Sequence, residues 1–143
     1  MIETILVLVL VSALASVGVL MSRDTYQSVI QRAERDVVVT LLQKARSHAL
    51  NNFNQSRWGV CAEPDRAMYV FFRGTYSVDA HINEYTAMAS RVVASSSQAI
   101  FLCARGGVVF TQLTATTSST TLFIVEGAST STISIHHEGT IAW

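Results

Sequence analysis

An apolar run from Thr4 to Met21 lies directly behind a single carboxylate, Glu3, and it constrains the fold more than any other feature of the chain. At about 1.5 Å of rise per residue, a helix over this run is roughly 27 Å long, which is close to the ~30 Å hydrocarbon core of a bilayer. We therefore expect an N-terminal helix that is long enough to span a membrane.

Three kinds of segment carry such a run: a cleaved signal peptide, an uncleaved membrane anchor, and a helix that is stored in the membrane and later packs in an assembly. A signal peptide has a basic region before the apolar run and a cleavage site of small residues after it. Here Glu3 stands before the run and Met21-Ser22-Arg23 follows it. These residues disfavour the signal peptide and leave the other two kinds open.

Helical periodicity continues beyond Arg23. Apolar residues recur every four positions, and three more widen the same face: Val29, Ala33, Val37, Leu41, Ala45 and Ala49, with Ile30, Val38 and Leu42. Nothing before Pro64 forces a break, because Gly18 is the only glycine ahead of Gly59. The pattern predicts one helix of about fifty residues that ends near residues 51–55. We expect a mixed charge cluster on its solvated or subunit-facing side: Asp24, Arg32, Glu34, Arg35 and Asp36.

Beyond Arg57 the apolar period becomes two, which is typical of strands. Predicted strands cover residues 67–77, 107–113 and 120–127, a hairpin covers 131–143 with its turn at Glu138-Gly139, and two further strands cover 85–93 and 98–107. The predicted fold class is α+β: a long N-terminal α-helix, apolar in its first half and amphipathic in its second, packed on a small antiparallel β-sheet or sandwich. The predicted segments are a transmembrane or filament-core helix (1–22), an amphipathic half that packs on the sheet (23–55) and a β-rich globular head (56–143).

No enzyme is predicted, because the chain has no nucleophile elbow, no glycine-rich phosphate loop and no HExxH motif. We expect no cofactor and no metal. Cys61 and Cys103 are far apart and lie in no zinc-binding spacing, so one disulfide or two buried free thiols are the open interpretations. The 10 Lys and Arg residues balance the 10 Asp and Glu residues and form no block, so DNA is not an expected partner.

Several stretches resemble the type IV pilin and pseudopilin superfamily. Its N-terminal motif reads phenylalanine, a small polar residue, two apolar residues and glutamate, followed by an apolar run. Met1 and Ile2 fall on the two apolar positions and Glu3 on the glutamate, and Tyr26-Gln27 is also pilin-like. The stretches "LLQKARSHALNN", "WGVC", "VVF" and "TISIHHEGTIAW" are similar to the GspH/FimT family of minor pseudopilins. The resemblance extends over essentially the whole chain.

The resemblance implies the pilin fold and a structural subunit of a type IV pilus or a type II secretion pseudopilus. Such a subunit is held in the inner membrane by a single pass, and the pilus assembly machinery then extracts it into an extracellular or periplasmic filament. Its partners are identical or related pilin subunits, and Glu3 would pair with the N-terminal amine of a neighbour. The implied filament-core residues are Ile5, Leu6, Val9, Leu10, Leu14 and Val17.

Two alternatives remain: a static single-pass protein with an anchored binding domain, and a pilus tip subunit that binds DNA or a surface. The chain also departs from the family. No basic leader ending in glycine precedes Met1, as expected of a trimmed mature chain or of a different motif register. No Lys or Arg follows Arg105, so the DNA binding of some FimT-like proteins is not carried over.

Overall fold

The computed structural model describes residues 2–78, 81–88, 101–126 and 129–143, with side-chain surroundings for 3–12, 26, 28–78, 81–88, 101–124 and 130–143. Over this part, the helix and the strands are α1 (Ile2–Leu50), β1 (Trp58–Glu63), β2 (Met68–Arg73), β3 (Glu84–Ala87), β4 (Val108–Phe110), β5 (Thr120–Glu126), β6 (Ser129–Ile135) and β7 (Ile141–Ala142). The predicted combination of helix and antiparallel strands is therefore confirmed.

The strands form two antiparallel sheets. The first has four strands in the order β3-β2-β1-β4, and the second has three strands in the order β5-β6-β7. In the first sheet β1 is central, with Val60 opposite Phe71 on one side and opposite Val108 on the other. In the second sheet, β6 and β7 form the predicted hairpin, and Gly139 lies in its turn with its N–H donating to the His136 carbonyl at 2.8 Å.

The strand predictions fail at two places. β1 was not identified from its periodicity, because its first four residues, Trp58 to Cys61, are all buried and both faces of the strand are apolar. The predicted strand at 98–107 is wrong where it is described, since Leu102 makes only an isolated bridge to Ala62 and a 3-10 turn follows at Cys103–Arg105. Residues 98–100 of that strand, and residues 89–93 of the strand predicted at 85–93, lie outside the described part.

The second part of α1 lies against both sheets and carries much of the main core. Its fully or nearly buried apolar residues are Val38, Val39, Leu41, Leu42, Ala45 and Ala49. They share one cluster with Tyr69 and Phe71 of β2 and with Ile124 of β5. The two sheets therefore have a common partner in this helix.

The buried face of α1 differs from the predicted one at its N-terminal end. Val29 is 58% exposed and Ala33 is also exposed, whereas Gln31 and Glu34 are buried. A helix turns by about 100° per residue, so residues spaced strictly by four drift around the axis by about 40° at each step. The row of residues spaced by four therefore lies on the core side at Leu41 and Ala45. Towards the N-terminus it turns away from the core, so that Ala33 and Val29 are exposed.

The predicted fold class requires a correction in its helix. Among the residues of α1 whose side chains are described, 3–12 and 28–50, there is no long N-terminal apolar helix. Only the 28–50 part contributes to the core. The strands form two antiparallel sheets against this helix. The pilin fold implied by the resemblance requires the long apolar helix and is therefore wrong for the described residues.

The corrected helix face makes a direct prediction. Ala45 is completely buried and Ala33 is exposed on the same helix. Ala45→Leu should lower the free energy of unfolding by roughly 1–3 kcal/mol, because the added atoms have no space in a packed core. Ala33→Leu should change it by less than about 0.5 kcal/mol. Urea unfolding followed by circular dichroism measures both, and equal effects would contradict the assigned face.

A close approach of two loops fixes the turn between β6 and β7. Gly139 has a φ of +75°, and a Cβ placed there would overlap the Ala115 carbonyl oxygen. The loop containing Ala115 is held in turn by backbone bonds from Thr117 N–H to the His137 carbonyl and from Leu113 N–H to the Ala49 carbonyl. The end of α1, the loop containing Ala115 and the hairpin turn are therefore packed closely together, and this packing requires that residue 139 has no side chain.

Gly74 offers a matched control for Gly139, since its φ is +78° and a Cβ there would meet no atom within 4 Å. Gly74→Ala should cost about 1–2 kcal/mol from the backbone conformation alone. Gly139→Ala carries the same backbone cost and must also displace the Ala115 carbonyl, so we expect a further loss of roughly 1–3 kcal/mol. Thermal unfolding of the two variants compares them, and equal losses would show that the close approach is unimportant.

Candidate assembly surface

The first described part of α1 carries an uninterrupted set of exposed aliphatic side chains. Exposed fractions lie between 55% and 69% for Ile5, Leu6, Val7, Leu8, Val9, Leu10 and Val11. Since consecutive residues of a helix point in all directions, this surface is apolar on every side. Large exposed apolar surfaces mark interaction sites, because leaving them in water is unfavourable.

The assembly residues predicted from sequence lie on this surface where they are described. Ile5, Leu6, Val9 and Leu10 are all exposed, and Glu3 is exposed in the first turn of α1. An acidic residue in a first turn is favoured by the helix dipole. The side chains of Leu14 and Val17 lie outside the described part. The structure thus places Glu3 and four of the six predicted core residues on one accessible segment.

The predicted single pass through the inner membrane is corrected by the structure. Among the residues described, no helix combines the length and the apolar character needed to cross a membrane.

The two cysteines are joined in a disulfide, which confirms one of the two open interpretations. The Cys61 and Cys103 sulfurs are bonded at 2.05 Å, and both residues are buried. The bond ties the 3-10 turn at Cys103–Arg105 to the central strand β1, on the face of the sheet opposite α1, where Val70 and Phe72 pack against it. A crosslink over 42 residues restricts the unfolded chain and stabilises this region.

A buried polar pair lies where α1 meets the first sheet. Glu34 is completely buried, and its carboxyl group accepts a hydrogen bond from the hydroxyl of Tyr69, which is itself 1% exposed. Burial, and then the neighbouring carboxyl group, raise the pKa of Tyr69 far above its ordinary value. The prediction that Glu34 lies on the solvated side is therefore wrong. A positional signal was present, since Glu34 is four residues before Val38 and seven before Leu41.

The end of α1 is fixed to the first sheet by an aromatic cluster around His48. The His48 ring lies 4.8 Å from Phe53, 4.8 Å from Trp58 and 5.4 Å from Phe71, measured between ring centroids. The Trp58 indole N–H donates to the Phe53 carbonyl at 3.0 Å. The Lys44 ammonium lies 4.8 Å from the centre of the Phe71 ring. Sequence periodicity did not identify this cluster, because its members come from four separate segments: α1, the turn after it, β1 and β2.

The surroundings of His48 favour its neutral form. Burial lowers its pKa below the ordinary value of 6.5, the Lys44 charge lowers it further, and Glu84 acts in the opposite direction. Lys44 and Glu84 form an ion pair with each other, so their effects on His48 partly cancel. The imidazole therefore serves as a packing group between aromatic rings at neutral pH.

This arrangement predicts how stability changes with pH. Burial in the folded state lowers the pKa of His48 below its ordinary value of 6.5. The contribution of neutral His48 to the free energy of unfolding is therefore fully present above about pH 6.5, and it is lost as the pH falls through the folded-state pKa. We expect the free energy of unfolding to decrease between pH 7.5 and pH 5, and His48→Gln to reduce that decrease. The exposed His81 is the control, because His81→Gln should leave the decrease unchanged. Urea titrations at both pH values test this, and the same slope for His48→Gln and the unsubstituted protein would refute it.

Among the described residues, no group of three or more His, Cys, Asp or Glu side chains is arranged to hold a metal ion. Comparisons of the chain with protein-family models, with curated proteins and with solved structures gave no match.

Proposed function

We propose that this chain is a structural subunit of a filament of the type IV pilin or pseudopilin kind, assembled by packing of N-terminal helices from neighbouring copies. The observation that carries the proposal is the exposed aliphatic segment from Ile5 to Val11 directly behind Glu3. A helix that is apolar on all sides is stable only when it is covered on all sides. A filament core supplies such cover, because each helix there is surrounded by copies of itself.

The second part of α1 supports the same function. Its side chains from Val38 to Ala49 are held between two sheets, so the exposed segment is continuous with an element anchored in the head. A force or displacement applied to the exposed segment is therefore transmitted to the folded core along one helix. A filament subunit under tension needs this property.

Glu3 has a specific place in this proposal. Inside a packed apolar core, a carboxylate without a partner costs several kcal/mol. An amine of a neighbouring copy would compensate it, and the pairing would set the axial register of the two helices. Contacts between aliphatic side chains are non-directional, so they provide affinity but do not by themselves fix a register.

The test is a pair of charge-neutralising variants. Glu3→Gln should raise the protein concentration needed for assembly by at least about tenfold, since it leaves the partner amine uncompensated. Glu138→Gln removes the same charge from an exposed turn in the head and should leave assembly unchanged. Sedimentation of purified protein, with electron microscopy of the pellet, measures both variants.

A third variant separates register from affinity. Leu10→Ser keeps Glu3 and reduces the apolar surface, so it should weaken assembly and leave the subunit spacing along the filament unchanged. The proposal fails if the unsubstituted protein remains monomeric at all concentrations. It also fails if Glu3→Gln assembles with normal yield and spacing.

A further inference from the structure

A strip of apolar side chains lies on the outer side of α1, away from the centre of its buried face. Tyr26, Val29 and Ala33 are exposed, and Val37 is half-buried at the border with the core. Residues three and four apart lie on the same side of a helix, so these four residues are neighbours on its surface. We call them the outer strip. The exposed part of the outer strip contributes nothing to the core of the chain.

The outer strip itself is uncharged, and its polar neighbours have partners or remain in water. Arg35 and Asp36 form an ion pair at 2.8 Å, and the Thr40 hydroxyl donates to the Asp36 carbonyl at 2.7 Å. Arg32 is exposed, and its flexible stem lets the guanidinium stay in water beside an apolar contact. A partner of the outer strip is therefore recognised by apolar surface and not by charge.

The shape of the outer strip fits a second helix. Ala33 has only a methyl group and lies between the larger side chains of Val29 and Val37, each about one turn away. Such a small residue leaves a depression that accepts a side chain of a neighbouring helix, with the two axes about 8–10 Å apart. The expected occupant is a helix with apolar side chains towards the strip.

Among the described residues, the aliphatic segment from Ile5 to Val11 is such a helix, because all of its side chains are apolar and exposed. The segment cannot reach the outer strip of its own chain, since both belong to the single helix α1. With a rise of about 1.5 Å per residue, Leu8 and Ala33 lie roughly 38 Å apart along that helix. A segment that covers the outer strip must therefore come from a second copy.

We propose that the outer strip docks the aliphatic segment of a second copy, with Leu8 of one copy against Ala33 of the other and both helices running in the same direction. The inference rests on the proposed filament and adds the surface on which each N-terminal segment packs. An antiparallel pair would use both segments and both strips at once and would close as a dimer. The parallel contact leaves one segment and one strip unused, so it continues from copy to copy as an open assembly.

The axial offset of this contact keeps the folded parts of the two copies apart. The part of α1 that packs on the sheets, residues 28–50, is about 33 Å long, which is less than the offset of roughly 38 Å. The docked copy therefore places its own packed part beyond Leu50 of the first copy. The helical parts of the two folded regions follow one another along the axis without overlap.

The experiment is disulfide crosslinking of the full chain. Cys61 and Cys103 are bonded to each other, so introduced cysteines are the only free thiols. After mild oxidation, a chain with both Leu8→Cys and Ala33→Cys should give a ladder of covalent dimers, trimers and larger species on a non-reducing gel. Mass spectrometry of the digested ladder should find the cysteines at positions 8 and 33 joined to each other. The control chain carries Leu8→Cys and Ala104→Cys and should stop at dimers, because residue 104 is exposed in a 3-10 turn outside the strip.

A charged variant tests the same contact without crosslinking. Ala33→Arg places a charge at the centre of the outer strip and should raise the protein concentration needed for assembly by at least about tenfold. Its thermal unfolding should match that of the unsubstituted protein, since residue 33 is exposed and arginine is a good helix former. Ala104→Arg adds the same charge elsewhere and should leave assembly unchanged.

The outcomes distinguish this inference from the proposed function. Filaments of Ala33→Arg at the normal concentration, or an equal ladder in the control chain, would overturn the inference and leave the filament proposal standing. Covalent species no larger than dimers from the chain with Leu8→Cys and Ala33→Cys would overturn it as well, in favour of the closed antiparallel pair. A ladder joined through positions 8 and 33, from a protein that sediments no filaments, would support the docking contact and refute the proposed function.

Discussion

The packing of one helix face against two separate sheets is the constraint on which the rest of the structure depends. Strands β1 to β4 and strands β5 to β7 form separate sheets, and the buried residues of both sheets that face α1 share a single cluster with it. Ala45 and Ala49 are fully buried on this face, and such small side chains allow the helix backbone to lie close to the sheets. A sheet face can be buried only against another layer, so without this helix each sheet would expose its apolar side to water.

Apolar packing alone would not fix the rotation of this helix about its axis. Two buried polar contacts fix that rotation. The Glu34 carboxyl group is hydrogen-bonded to Tyr69 of the first sheet, and Gln31 Nε2 donates to the Ile124 carbonyl of the second sheet at 3.3 Å. Gln31 and Glu34 are about one helical turn apart and contact different sheets. Rotation or sliding of α1 would break both contacts and leave buried polar groups without partners, which is more costly than a shift of apolar contacts. The buried Glu34 carboxyl group therefore helps to fix the position of α1 relative to the first sheet.

Sequence patterns predicted the parts of this fold in which a single period dominates. The amphipathic helix, the strands near 68–73 and 120–126 and the turn at Gly139 were all identified, because each has a clear local signal. The missed features depend on tertiary context. β1 has no alternation since it is buried on both faces, and Glu34 was assigned to solvent by residue type although its position placed it on the core side. The aromatic cluster of His48 joins residues from separate segments of the chain, which no local pattern can show.

The edges of the two sheets are short or partly engaged, which bears on how copies of the chain would associate in the proposed filament. Exposed edge strands invite pairing between molecules, and proteins limit this by keeping edges short, charged or covered. Here β3, β4 and β7 have only four, three and two residues, and Glu84 of β3 is engaged by Lys44. The longer edge strand β5 has its Ile124 carbonyl occupied by Gln31 of α1. Strand pairing between copies is thereby disfavoured at each described edge. In the proposed filament, the described aliphatic segment behind Glu3, and not a strand edge, would therefore be the surface through which copies of the chain associate.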